Sequence, residues 1–242
     1  MENKKGNSIF LGVVAVATLI VAIIGATFAY FSITAQGDNN VELTAYEFNA
    51  SVSVSPVYPS SAAALVPLNP SGTVNVADGA TAPTNTTNLL YAINEATNKC
   101  IDSNGHQVCA VYSVTVENNA STPLTMNGVL TTIANTPSAS LTGATGLLHL
   151  KYAPLTGDTT NGFTVGTAVD VDGTVNETTD IDPLTVPAND SVTQYFVIYL
   201  NEVGEQNNPE MGASYQGQLV YTSTAGGQQL TGTFNIAASN EP

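Results

Sequence analysis

The sequence predicts an all-β fold, a jelly-roll-like β-sandwich with one short helix, set behind an N-terminal hydrophobic helix. Three observations carry this reading. Runs that alternate apolar with polar residues, or are rich in β-branched ones, recur through the body of the chain between gaps of Asn, Asp, Gly, Pro and Ser. One segment has apolar residues at helical spacing. Near the start, the run from Ile9 to Phe31 has 23 residues and no charge.

That run comes first in the chain. As a helix it spans about 30 Å of hydrocarbon, and it exceeds the apolar core of about 7–15 residues in a simple secretory signal. Lys4 and Lys5 precede it, the charge pattern of a segment held inside while the rest is exported. Its end, Thr27-Phe28-Ala29, puts small residues on the third and first positions before a cut between Ala29 and Tyr30. Three outcomes stand: cleavage after Ala29, a retained membrane anchor, or a cut after Gly6 as in prepilin-type signals. The first is the expectation here. Residues 1–29 are then a signal peptide or membrane helix, 30–39 an N-terminal arm, and 40–242 a single sandwich domain. Extracellular or cell-surface localisation follows.

Strand-like runs follow at 40–54, 107–117, 122–133, 146–153, 162–170, 191–202, 214–223 and 228–237. No helix lies between most of them, which argues against βαβ units. Asn88 to Thr97 is the helical segment, with Leu89, Leu90 and Ile93 on one face and Thr87 or Asn88 as cap. The stretch Pro56 to Pro83 is poor in large apolar residues and reads as a long surface excursion. Cys100 and Cys109 flank Asn104-Gly105, a pair suited to the positive φ of a tight hairpin turn. Equal arms about that turn would set the cysteines opposite each other, and export favours their oxidation to a disulfide.

Composition excludes several functions. The net charge is −15 with only four basic residues, and loss of the first 29 would remove two lysines against one glutamate. Such a surface repels phosphate backbones, so nucleic acid is not an expected partner. Charged residues make up 10 % and hydrophobic ones 43 %, as expected of a folded chain rather than a charged disordered one.

Gly25-Ala-Thr-Phe-Ala-Tyr-Phe-Ser32 resembles the signal-peptide end of the TasA/camelysin family of Gram-positive bacteria, although Ile33 and Thr34 stand where the family usually has an acidic residue. Val114 to Thr125 resembles that family's strand leading into an Asn-Asn turn, and Tyr195 to Glu202 with Tyr215 to Tyr221 is similar to its late strands. The resemblance implies export through the Sec translocon and processing by a SipW-type signal peptidase. It also implies a jelly roll that polymerises, with itself or related subunits, into extracellular biofilm-matrix fibres.

An enzyme is not expected. His106 falls in the cysteine hairpin turn. His149 lies in Leu148-His-Leu-Lys-Tyr152, where alternation sends Leu148, Leu150 and Tyr152 to one face and His149 with Lys151 to the other. No His-Glu-x-x-His, Gly-x-Ser-x-Gly or phosphate-cradling Gly loop occurs, so the metalloprotease label attached to camelysin-like proteins finds no site here. No cofactor is expected. The one candidate metal cluster is Asp170, Asp172, Glu177, Asp180 and Asp182, hard oxygen ligands around Gly173 that could take calcium, at a spacing unlike an EF-hand.

The expected function is that of a secreted structural fibre subunit. The arm Tyr30-Phe-Ser-Ile-Thr-Ala-Gln36, with Phe31 and Ile33 on one face, would be donated as a strand to an open sheet edge of the next subunit. The alternatives are a membrane-anchored acidic binding module and a pilin that keeps its hydrophobic helix.

Overall fold

In the computed structural model, residues 48–60, 63–74, 86–97, 99–102, 104–203 and 208–238 are described. The cleavage position Ala29/Tyr30, the apolar run and the donor residues Tyr30, Phe31 and Ile33 lie outside them. Among the described residues no helix is long and apolar enough to cross a membrane.

Among the described residues the strands follow one another in the order β1 (Ala50–Tyr58), β2 (Ala63–Leu65), β3 (Thr73–Val74), β4 (Thr86–Thr87), β5 (Ala110–Asn118), β6 (Leu124–Thr136), β7 (Leu150–Asp158), β8 (Gly162–Val165), β9 (Val169–Asp170), β10 (Thr178–Val186), β11 (Asp190–Leu200), β12 (Ser214–Ser223) and β13 (Gln229–Ala238). Helix α1 (Asn88–Asn94) follows β4, and a 3₁₀ turn spans Asn208–Glu210. Two sheets face each other. The first runs β1-β5-β11-β7-β8, with β9 also on β7; the second runs β10-β6-β12-β13-β2. Every pairing in them is antiparallel except the short parallel contact of β2 with β13. The fold is an all-β sandwich.

Between the sheets lies an aromatic core. Phe196 on β11 sits 5.3 Å from the rings of both Tyr112 and Tyr152 and 5.6 Å from Phe234. Met126, Leu130, Leu150, Leu184, Val186, Leu219 and Ile236 fill the space around them. Alternation explains the choice: Tyr112, Val114 and Val116 point inward from β5, as do Phe196, Ile198 and Leu200 from β11. Burial holds phenols neutral, pushing Tyr112, Tyr215 and Tyr221 up to about 12 and Tyr152 higher still.

In the described part of the expected surface excursion, Leu68 docks into a cap instead of lying on the surface. Leu68, Leu89, Ala92 and Ile93 pack with both cysteines, Val108, Val111, Ala153, Leu155, Phe163, Val197 and Tyr199 in a second core on the outer side of the first sheet. Composition hid this, because its few apolar side chains stand where they dock. Leu65, on β2, closes the main core instead. A register shift between Pro56 and Tyr58 lets one strand serve both cores. Ala50, Val52 and Val54 face the main core, whereas Val57 and Tyr58 face the second. The helix is shorter than expected, ending at Asn94, and Thr87 caps it by position with no side-chain hydrogen bond.

Other boundaries differ for local reasons. The run 146–153 becomes a strand only from Leu150, and Leu148 is 57 % exposed, against the alternation assigned to it. The run 162–170 breaks into β8 and β9. Strand β10 was not expected at all. Its Asp180, Asp182 and Pro183 read as turn residues, and a register shift between Ile181 and Leu184 breaks the period-2 signal.

Candidate functional site

The cysteine hairpin is tied by a Cys100–Cys109 disulfide with a Cα–Cα distance of 4.9 Å. The turn is centred one half-residue earlier than equal arms would require. Ile101 pairs with Gln107, and Val108 N donates to Cys100 O at 2.9 Å, so Cys100 faces Val108 and the bridge runs to its neighbour. Asp102 sets that centre: its Oδ1 accepts from Asn104 N and His106 N, both at 2.9 Å. Gly105 takes a φ of 87° as the Asn-Gly pair anticipates, and Cys100 itself sits at 60°. His106 is partly buried over this turn, with Nδ1 3.6 Å from Asp102 Oδ2.

His149 is not a bare surface residue. Its Nδ1 lies 2.6 Å from Oε1 of Glu210, a carboxylate only 2 % exposed. The same Oε1 accepts from Leu148 N at 2.8 Å, while Oε2 is buried with no hydrogen-bond partner among the described residues. Glu210 thus ties the segment entering β7 to the β11–β12 connection. Sequence reasoning passed over Glu210, since Asn-Pro-Glu reads as one more acidic turn. The dyad has the geometry of a base and its orienting carboxylate, but among the described residues no Ser, Thr or Cys side chain hydrogen-bonds to His149.

The five candidate calcium ligands do not converge. Among the described residues, no group of three or more His, Cys, Asp or Glu is placed to hold a metal ion. Asp170 pairs with Lys151 at 2.5 Å, and Asp172 Oδ1 accepts from Thr174 N at 2.8 Å. Glu177 lies in the turn before β10, and Asp180 and Asp182 both point outward from that strand, opposite to Ile181. The strand passes between acids that a loop would have gathered, so the calcium reading is withdrawn.

A shallow polar pocket lies where α1 meets the β7–β8 hairpin, lined by Asn94, Lys99 and residues 159–164. Its groups are committed to holding the hairpin. Asn94 Oδ1 accepts from Phe163 N at 2.7 Å, and Nδ2 donates to Phe163 O at 2.8 Å. The Lys99 ammonium lies 4.7 Å from the Tyr58 ring centroid. Backbone and side-chain donors of Asn161, with Thr160 N, hold the Asp158 carboxyl below its ordinary range at the hairpin tip.

What remains distinctive is the edges. Among the described residues strand β10 pairs only with β6, and it carries two outward aspartates, a proline and a register shift, each a device that discourages further pairing. Strand β8 is four residues long and clamped to α1. Strand β1, by contrast, is nine residues long, has no charged residue, and pairs only with β5 among the described residues. Its inward Ala50, Val52 and Val54 are only partly buried. It packs on β13, also uncharged, at a point where a Cβ on Gly232 would come within 2.3 Å of Val54 Cγ2.

No family model and no curated protein matches the chain. Solved structures do resemble it. A FixG-related protein from Vibrio parahaemolyticus is 7 % identical with a TM-score of 0.35, over 78 % of this chain and 95 % of that one. The ASH/PapD-like domain of human CEP192 is 9 % identical with a TM-score of 0.26, over 55 % and 74 %. The CooA pilin subunit from enterotoxigenic Escherichia coli is 16 % identical with a TM-score of 0.28, over 59 % and 97 %.

Proposed function

We propose that this chain is an exported structural subunit that polymerises into an extracellular fibre through its N-terminal arm, in the manner its resemblance to TasA/camelysin proteins implies. One observation carries the reading. The polar groups that a catalytic or metal site would need are used as braces: Glu210 holds the start of β7, Asn94 holds β8, and Asp102 shapes the disulfide turn. Asn118 Nδ2 likewise donates to Thr122 O at 2.8 Å and to Pro187 O at 2.9 Å, and Asn135 links Leu147 to Gly173. A domain built this way offers rigidity and edges, which are what a fibre subunit uses. The arm Tyr30–Gln36, freed by cleavage after Ala29, would then be the polymerising element, and a heterologous contact of this kind propagates instead of closing.

Deletion of residues 30–36 tests it. The shortened exported protein should keep its circular dichroism and thermal midpoint yet form no fibres by electron microscopy. Fibres of normal length from the deletion would end the proposal. Sequencing the N-terminus of the exported protein separates the alternatives: Tyr30 fits the strand donor, Met1 an anchored binding module, and Asn7 a pilin with its helix retained.

A further inference from the structure

We infer that the acceptor for the arm is the edge of β1 that has no partner strand among the described residues, where β1 packs on β13, and that the occupant is residues 30–36 of a second copy of this chain. The inference rests on the polymerisation reading above and adds where the strand lands and what selects it.

The first argument is charge. The chain carries a net −15, so two copies repel at most surfaces. Strands β1 and β13 have no charged residue, and neither does Tyr30-Phe-Ser-Ile-Thr-Ala-Gln36. The opposite flank carries Asp158, Asp170, Asp172, Glu177, Asp180 and Asp182 against Lys151. An uncharged strand gains nothing electrostatically on any edge, but on β1 it has no aspartates to bury, as it would on β10, and it finds nine residues to pair with, where β2 offers three and β8 four.

The second argument is pattern. In β1 the inward positions are Val52 and Val54, and the outward ones are Ser51, Ser53 and Ser55. Register places these serines beside Glu117, Thr115 and Ser113 of β5, which pair in turn with Ser191, Thr193 and Tyr195 of β11. Seven of these nine outward positions are serine or threonine, and Thr115 and Thr193 share a hydrogen bond of 2.8 Å. The arm repeats that code: Phe31 and Ile33 alternate with the hydroxyls of Tyr30, Ser32 and Thr34. Added beside β1, it would extend the hydroxyl face by one row and lay Phe31 and Ile33 over the half-covered side of Val52, Val54 and Leu230. The i, i+2 spacing of about 6.8 Å is common to both strands. Backbone pairing supplies affinity, and the two apolar side chains fix the register, since a slip of one residue would turn them to solvent.

Cysteine pairing tests the placement. One full-length chain carries Ser32→Cys and a second carries Ser53→Cys; both exported products are mixed during fibre assembly and oxidised with diamide. The expected product is a mixed Ser32→Cys/Ser53→Cys dimer, identified by mass spectrometry, at least tenfold over that with an Asp180→Cys partner. A Ser53→Asp chain, altered only on the exposed face, should keep its thermal midpoint while its fibre yield falls at least tenfold. Fibres that form without the Ser32–Ser53 link, or with the link to position 180, overturn the placement and leave polymerisation standing. A doubly substituted chain that links within itself at nanomolar concentration assigns the edge to its own arm and overturns the second-copy occupant. Absence of fibres from the unaltered chain overturns the polymerisation reading itself.

Discussion

Strands β10 and β1 are both edges of the same sandwich, both nine residues long, and they are built on opposite principles. Along β10, three means of discouraging a partner are present: outward Asp180 and Asp182, Pro183, and a register shift that bends the strand. Along β1 the outward row is serine, and its proline comes only at Pro56, beside the register shift where the strand turns toward the second core. A chain under general pressure to stay soluble would be expected to guard both. The contrast teaches that one sandwich can guard its edges unequally, and that acidic residues which look like a metal site in sequence can be edge guards in space.

The comparison can be broken most severely at Gly232. An added methyl would reach within 2.3 Å of Val54 Cγ2, so Gly232→Ala should push β1 away from β13 and cost about 1–3 kcal/mol. Urea denaturation measures the cost, and amide exchange should report the loss first along β1. Unchanged protection there would mean that β1 does not depend on β13 for its position.

Alkaline titration sharpens the contrast from beneath. Phenols buried in the core titrate above their unfolded value of about 10, so the stability they contribute is complete below pH 10 and is lost as pH rises toward 12. Burial is the first cause for all of them, but Asp182 adds to the upward shift of Tyr221 and, after Tyr221 itself, of Tyr152, and not to that of Tyr112. Asp182→Asn should therefore lower the apparent phenol pKa on the β10 side and leave Tyr112, beneath β1, where it was. Residue-resolved NMR of the tyrosines checks this; equal movement of all three would remove the electrostatic asymmetry.

The smallest effect on stability belongs to the guards themselves. Asp180→Ser with Asp182→Ser removes two exposed charges and should change stability by less than about 0.5 kcal/mol. Its readout is association: sedimentation velocity should show new lateral species absent from the parent. A double variant as monodisperse as the parent would mean that the bulge and Pro183 suffice.

The long strands were legible because their apolar residues keep period 2 over many positions, as in Val114-Thr-Val116 and Leu219-Val-Tyr221. The helix was legible from Leu89 and Ile93. What escaped has one physical cause, tertiary contact overriding local composition. Strand β10 carries turn chemistry because it is an edge, and Leu65 and Leu68 were too sparse to suggest a core until the first sheet supplied the other half. Leu148 faces solvent because its N–H, held by Glu210, fixes the entry to β7. Of the candidate sites, the cysteines were readable from spacing and turn residues, whereas the Glu210–His149 brace joins positions 61 apart that no local pattern connects.

The cap over the first sheet has a consequence for how the molecule comes apart. Strands β5, β11 and β7 lie beneath two separate apolar layers, and the outer one is held by α1 and the disulfide hairpin. Such a layer can open as a cooperative unit of its own while the sheet beneath stays paired. Reduction of the disulfide would then act as a local melt that reaches β1 only at Val57 and Tyr58 and spares Ala50, Val52 and Val54, which face the other core.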